Sequence, residues 1–384
     1  MRIRSRFWRS IKKLFSYCVY RPLLFFLPHR RKGECQADMA IVCMASLGDF
    51  ITFCAVAKCL RLQGRTMVLV CKKGCGIEEF ADMTGYFQKI YPISVKWKHR
   101  VANIAYLNQI KVKRVVVAPA QRHILSDLYA ISIAAEKYIM PDTLQACSLL
   151  SLKKLVDRKV DKLVPVTAIY ELERYEQYLE DAQAIRKPLR PYQFEKDPSE
   201  EKDRRDPYII IFPGAGGGQI KQWPVERYAT VAKLLQQEQR CRVLICGTSS
   251  ERALGEKLQQ LIGSTAENLC GKTSLISLKD ILSKCFLVLA NDSGSAHFSI
   301  ACNAPTIIVC GGWEYGRFYP NQRMPSNCIA ITPSPINRCC IPCGESKPIC
   351  GKKGEATLCI LDVEEDFVSK MAILLYRRIC ECAD

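Results

Sequence analysis

Asp292, Ser293, Gly294 and His297 stand in one short stretch between the apolar runs Leu287–Ala290 and Pro305–Cys310. An apolar run, a glycine turn, a small-residue segment and a second apolar run read as strand, loop, helix and strand. Such a unit aims a helix N-terminus at whatever occupies the loop, which makes it a natural seat for a phosphate. Ser293 and Gly294 offer N–H groups and a hydroxyl, and Asp292 can brace the loop. His297 is either a further donor to the same anion or an ordinary structural histidine near a helix start.

Three other places carry chemistry-capable residues. "FPGAGGGQIKQWP", Phe212–Pro224, follows an apolar run. Gly214 and the glycines after it let a backbone approach a ligand closely, Lys221 adds a mobile positive charge, and Pro224 suits a first helical turn. The combination favours a diphosphate, with a flexible surface loop as the plain alternative. It is not a P-loop, because the Gly-Lys-Ser/Thr ending is absent, and no G-x-G-x-x-G series opens a helix here. In "CGTSSE" Glu251 either accepts bonds from ribose hydroxyls or complements a helix dipole. In "SLGDF", Ser46–Phe50, Asp49 is either a helix N-cap or a carboxylate facing a cleft.

The elements that must hold these residues alternate along the chain. Candidate strands cover Ala40–Ala45, Thr66–Cys71, Lys89–Ile93 and Arg114–Ala118 in a first half. A charge-rich stretch over 150–206 has few strand signals and reads as a helix followed by a linker. A second alternating series then starts at "YIIIFPGAGGG", with helices expected near Pro224–Gln239, after Ser250, near Leu275–Lys284 and over Ala296–Cys302. The pattern predicts an α/β protein of two doubly wound halves, with ligands beyond the carboxyl ends of the strands and a cleft between the halves. The expected organisation is a basic tail over 1–38, a first Rossmann-like domain over 39–200 and a second over 207–384.

The formal charge of +18 over 384 residues calls for a polyanionic partner. Residues 1–38 hold ten Lys/Arg against Glu34 and Asp38, so much of the excess sits in the tail. There Phe7, Trp8, Ile11, Leu14, Phe15, Cys18 and Val19 recur at helical spacing between Arg9, Lys12 and Lys13. This is the pattern of an amphipathic helix on an anionic membrane surface, or of a basic helix packed on the body. The uninterrupted apolar run Leu23–Leu27 is too short to span a bilayer, and Arg21 and Pro22 spoil it as an export signal. A cytoplasmic location follows, and with it the expectation that most of the 22 cysteines are reduced thiols. Cys43, Cys54, Cys246, Cys302 and Cys310 lie in apolar runs as small hydrophobes. The group over 339–359 differs: Cys340, Cys343, Cys350 and Cys359 could hold a structural zinc or iron–sulfur cluster, remain thiols or form disulfides.

Taken in order, "SLGD", "PGAGGGQIKQWP", "NLCGKTSLISL" and "NDSGSAH…NAPTIIVCGG" resemble glycosyltransferase family 9, the lipopolysaccharide heptosyltransferases. The resemblance covers about residues 39–375 and is most specific in the second half. It implies a GT-B fold of two Rossmann-like domains facing each other across a cleft, with inverting transfer of a heptose from ADP-heptose to a lipid-linked lipopolysaccharide core acceptor. It further implies Asp49 as general base, Lys221, Asp292, Ser293, Gly294 and His297 around the diphosphate, and Glu251 at the nucleoside. No cofactor is then required for catalysis, and the chain has no D-x-D triplet. The protein would work as a peripheral protein on the inner face of the bacterial inner membrane.

Two rival readings stand beside this one. The same machinery could take another nucleotide sugar and a different envelope glycan. A non-catalytic basic nucleic-acid-binding protein would explain charge and cysteines, but not why Lys221, Glu251 and the Asp292 turn all follow strands. No nucleic acid is therefore expected as partner.

Overall fold

The computed structural model describes residues 34–143, 150–180, 185, 188–196, 205–216, 218–313, 315–333 and 356–381. The tail over 1–33 and the segment with Cys340, Cys343 and Cys350 lie outside the described residues. Contacts divide the chain into two units, with Leu189 the last residue of the first.

The first unit is a parallel six-stranded sheet of β1 (Ala37–Cys43), β2 (Met67–Lys72), β3 (Lys89–Ile93), β4 (Lys111–Ala118), β5 (Ala134–Asp142) and β6 (Lys162–Pro165), in the order β3-β2-β1-β4-β5-β6. Register is set by pairs such as Cys43 with Cys71 and Val42 with Val117. The central strands are near-continuous runs of Val, Ile, Leu and Ala because helices cover both faces of a parallel sheet. β5 is hidden in the sequence because Glu136 and Lys137 interrupt its apolar run with exposed charge. The stretch that reads as helix and linker contains a helix over Leu150–Asp157, then β6, then a helix over Glu171–Leu179. Its charge is misleading, since Glu171 and Glu176 are buried. Their carboxylates accept the backbone N–H of Ala120 at 2.8 Å and of Leu189 at 2.6 Å. Buried carboxylates used in this way satisfy donors that a loop would otherwise leave unpaired.

The second unit has β7 (Tyr208–Phe212), β8 (Arg242–Ile245), β9 (Ala266–Asn268), β10 (Leu287–Asn291), β11 (Thr306–Val309) and β12 (Cys328–Ile331), in the order β12-β11-β10-β7-β8-β9. Counted from its own first strand, each sheet runs 3-2-1-4-5-6 or its mirror in sequence, the doubly wound order. The expected helices appear at Val225–Gln239, Arg252–Ile262, Leu275–Lys284 and Gly294–Ala301. A long helix over Glu365–Glu381 lays Val368, Ala372, Leu375 and Tyr376 into the core of this unit, where Tyr376 stacks on Phe286 at 5.5 Å. Trp223, 1% exposed, packs edge-on against Tyr228 in the same core. Truncating so buried an indole costs about 4 kcal/mol.

Residues 190–196 belong to the second unit, whereas the expected first domain runs to residue 200. The N–H of Phe194 donates to the Ala301 carbonyl at 2.8 Å, and Asn303 Nδ2 donates back to the Phe194 carbonyl at 2.9 Å. Tyr192 packs on Phe194 at 5.2 Å. These bonds, hidden in a stretch of polar texture, fix the boundary earlier.

Candidate functional site

In the second unit the strand order reverses between β7 and β10, and ligands of open α/β sheets bind beyond the carboxyl ends of the strands at such a point. The loop after β7 holds Gly214 and Lys221, and the turn after β10 holds Asp292 and Ser293. Asn291 ties the two together. Wholly buried, it donates through Nδ2 to the carbonyls of Pro213 and Gly214, both at 3.0 Å, while its Oδ1 accepts the N–H of Trp223 at 2.9 Å. Three bonds from one side chain hold both ends of the glycine loop against β10. Asn291 lies inside the motif, but nothing in its type announces that role.

Lys221 closes a short helical turn over Gln219–Lys221, entered through Gly218 at a φ of 79° that a side chain would strain. Its Nζ lies 3.9 Å from Asp292 Oδ2 and 4.7 Å from the centre of the Trp313 ring. Lysine and carboxylate thus face each other at a separation wider than a hydrogen bond. Burial pushes the Cys310 thiol well above its usual range, with Asp292 adding to the rise and Lys221 opposing it. Cys310 stands here as a neutral thiol.

Ser293 is the N-cap of helix Gly294–Ala301 in extended conformation, and its Oγ shares a hydrogen bond with Ser295 Oγ at 2.7 Å. His297 sits in the first turn. Its Nδ1 is 3.0 Å from Tyr319 Oη, and its ring meets Phe318 edge-on at 4.9 Å. The bond to Tyr319 turns Nε2 away from the phenol. Tyr319 and Phe318 come from a loop distant in sequence, and no spacing signal marks them.

Glu251 joins the same rim by a different device. Its Oε2 accepts the N–H of Thr248 at 2.7 Å and the Thr248 hydroxyl at 2.9 Å, a capping box. Its Oε1 lies over Gly214, where a Cβ would fall 1.8 Å from that oxygen. A side chain at Gly214 would have to displace the Glu251 carboxylate, while the helix-start bonds of Glu251 run through its other oxygen.

A second set of bonds braces Lys221 from far along the chain. Thr357 Oγ1 donates to the Ile220 carbonyl at 3.1 Å, and Trp223 Nε1 donates to the Val363 carbonyl at 2.8 Å. Cys359, the described member of the cysteine group, is buried; its Sγ accepts the N–H of Gly312 and contacts Thr357 Oγ1, each at 3.2 Å. Among the described residues no group of His, Cys, Asp and Glu is arranged to hold a metal. Cys43, Cys54, Cys246, Cys302 and Cys310 are buried free thiols, as their apolar setting implies.

Asp49 stands in the first unit, after β1. The structure makes Ser46, not Asp49, the N-cap of helix Leu47–Leu62. Asp49 is the reciprocating carboxylate, with Oδ2 2.6 Å from Ser46 Oγ and 3.2 Å from Ser46 N. An acidic residue in the first turn is favoured by the helix dipole, and the carboxylate remains half-buried rather than enclosed. Lys221, Asp292, Ser293 and Gly294 are brought together; Glu251 joins them through Gly214.

Known proteins share this pair of sheets. Lipooligosaccharide heptosyltransferase 2 of Haemophilus influenzae is 35% identical over 109 residues, 27% of this chain and 31% of that protein, so the match spans under a third of the relative. In fold, the chain superposes on Escherichia coli ADP-heptose lipopolysaccharide heptosyltransferase II with a TM-score of 0.64 at 16% identity, covering 89% of this chain and 99% of that one. A glycosyltransferase family 9 protein of Veillonella parvula gives 0.69 at 17%, covering 90% and 99%. These likenesses carry the GT-B class of fold. The model of glycosyltransferase family 9 (heptosyltransferase) matches residues 143–335, half of the chain and most of the unit that carries the glycine loop and the Asp292 turn. On that match the protein belongs to glycosyltransferase family 9.

Proposed function

We propose that this protein transfers a heptose from ADP-heptose to a lipopolysaccharide core acceptor, with inversion at the anomeric carbon. The observation that carries the reading is the pairing of Lys221 with Asp292 at the reversal point of the second sheet, with both loops pinned by Asn291. The names of the relatives support heptose as the sugar and ADP-heptose as the donor.

In this reading the second unit holds the nucleotide sugar. The diphosphate lies against Lys221, the N–H groups of Ser293 and Gly294, and His297, while Glu251 Oε1 accepts a ribose hydroxyl. The first unit supplies Asp49. As the acceptor oxygen bonds to the anomeric carbon, its proton passes to the Asp49 carboxylate, and the bond from that carbon to the diphosphate oxygen breaks with its electrons on the diphosphate. Lys221 and the helix dipole meet the charge developing on the leaving group, and preorganised donors of this kind stabilise it most in the transition state. Residues of the chain suffice for each of these steps, so no metal is required.

The acceptor is lipid-linked, so the reaction takes place at a membrane surface, on the cytoplasmic face, with the basic tail as one anchor. Among the described residues no helix is long and apolar enough to cross a membrane.

Calorimetric titration with ADP, ADP-heptose, UDP-sugars and GDP-sugars tests the proposal. Binding confined to the adenine nucleotides, and weakened about 30-fold in Lys221→Ala through loss of a charge-assisted contact, is the expected result. Tight binding of another nucleotide sugar would keep the mechanism and replace the substrate. No nucleotide binding by intact protein would end the proposal.

A further inference from the structure

β3 is the edge strand of the first sheet, and the segment after it combines exposed aromatic, apolar and basic side chains. Lys96, Trp97, Lys98, His99 and Arg100 interleave base and indole over a tight turn at Trp97–His99, and helix Arg100–Leu107 begins at once. The helix buries Ile104 and Leu107 against the sheet. Its outer face carries Val101, Ala102, Ala105 and Tyr106, all exposed and none charged. Trp97 is 50% exposed, Val101 52% and Tyr106 43%. The guanidinium of Arg100 lies 4.5 Å from the Trp97 ring centre. The end of β2 adds an exposed Lys73, whose N–H bonds the Ile93 carbonyl at 3.0 Å. Of the nearby acids, Glu78 is occupied by the N–H of Gly74 at 3.0 Å, Glu79 is half-buried, and Asp82 on the same helix is exposed.

We infer that this face, Trp97 with Val101 and Tyr106 ringed by Lys73, Lys96, Lys98 and Arg100, docks the first unit on an anionic lipid bilayer. An uncharged helix face flanked by cations and an amphipathic indole suits the interfacial region, where apolar side chains enter the acyl boundary and lysines meet anionic headgroups. A nucleic acid would need phosphate-tracking cations across the face itself, and here they stand around it. A second copy fits poorly, because a handful of side chains falls far short of the roughly 20–30 residues a side of a stable interface. β1 and β3 run the same way, so the Trp97 turn and Val101, which begin this surface, and Asp49 all follow carboxyl ends of one sheet, while Tyr106 lies farther along its helix. A membrane reached there lies on the side from which a lipid-linked acceptor would enter. The inference rests on the proposed function for its lipid-linked substrate.

The experiment is flotation of the full chain with vesicles of phosphatidylethanolamine and phosphatidylglycerol, and with phosphatidylcholine alone, using Trp97→Ser/Val101→Glu and Leu62→Ser. Leu62, 78% exposed, ends the helix that starts at the carboxyl edge and so lies toward the opposite edge of the same unit. Wild type and Leu62→Ser should partition alike onto the anionic vesicles, and the double variant about tenfold less. Equal partition of the double variant, or no partition of wild type, overturns the inference. So does loss of lipid-free self-association in the double variant with vesicle binding intact, which would make the face a contact between copies. Far-UV circular dichroism and urea unfolding of each protein show whether the variant is folded, and ADP titration separates the two readings, because absence of ADP binding in wild type strikes the transferase alone.

Discussion

Beyond the carboxyl ends of its strands each unit places acids beside bases, but on different terms. In the first, Arg122 is 1% exposed and bonds Asp127 at 2.8 Å and Asp157 at 2.7 Å, with Lys153 closing the network onto Asp157 and Asp142. In the second, Lys221 and Asp292 are 14% and 6% exposed and stand 3.9 Å apart. Taking ions out of water costs several kcal/mol each, and only close, multiply bonded geometry offsets it. The first network meets that condition internally. Burial raises the Asp127 carboxyl while Arg122 opposes the rise, so the charges there are spent on each other. The second pair stands at a separation wider than a hydrogen bond. One strand order holds a close ion network in the first unit and a wider pair, the proposed diphosphate site, in the second, so topology finds the place and pairing distance distinguishes the two.

The sharpest test of the division lies in Asp49. If the first unit supplies only the base, Asp49→Asn should lower kcat about 1,000-fold, the range of a general base, with ADP affinity within about twofold of wild type; a parallel loss of ADP binding would break the comparison. Asn291→Leu leaves the Pro213 and Gly214 carbonyls and the Trp223 N–H without their partner, and should lower stability to urea by about 3 kcal/mol. Hydrogen exchange would locate that loss in the second unit. Gly214→Ala puts a methyl on Glu251 Oε1 and should weaken nucleotide binding about tenfold, roughly one hydrogen bond's worth. In Glu251→Ala the second substitution should add nothing further, and additive losses would mean that the two residues act apart.

The smallest effect belongs to the first unit's own scaffold. Lys113, at 2.7 Å, and Thr66 hold the Asp38 carboxyl down to about 2 from its ordinary 3.8. The folded state therefore favours the carboxylate. That stability is fully present above about pH 4 and is lost as pH falls through about 2. With Lys113 exposed to solvent screening it amounts to about 1 kcal/mol. Asp38→Asn should show that deficit at pH 7 and match wild type near pH 2.

Much of this is legible in the amino-acid order. Long apolar strands announce themselves, and so do the glycine loop and the Asp292 turn, because a parallel sheet and a phosphate seat each require residue types that little else explains. Helix Leu275–Lys284 has the ends its pattern implies, since Ser274 caps it. Pairing across the sequence stays hidden. Tyr319 on His297, Thr357 on Ile220 and Glu251 over Gly214 are contacts between residues whose types permit many partners. Glu171 and Glu176 mislead for the opposite reason: their charge reads as solvent, while their carboxylates serve buried N–H groups.

The bonds from Thr357 to Ile220 and from Trp223 to Val363 reach across 137 and 140 residues. At roughly 5–20 residues per second of synthesis, the glycine loop leaves the ribosome on the order of ten seconds before its braces exist. During that time Trp223 has neither the carbonyl that receives its indole N–H nor the helix Glu365–Glu381 that completes the core around it. Products truncated before Thr357 would carry every residue of the proposed phosphate seat and still lack the bonds from Thr357 and Val363 that brace its loop. The nascent second unit is thus an apolar surface awaiting its last helix, a natural client for a chaperone, and the proposed nucleotide site is braced only once that helix has been made.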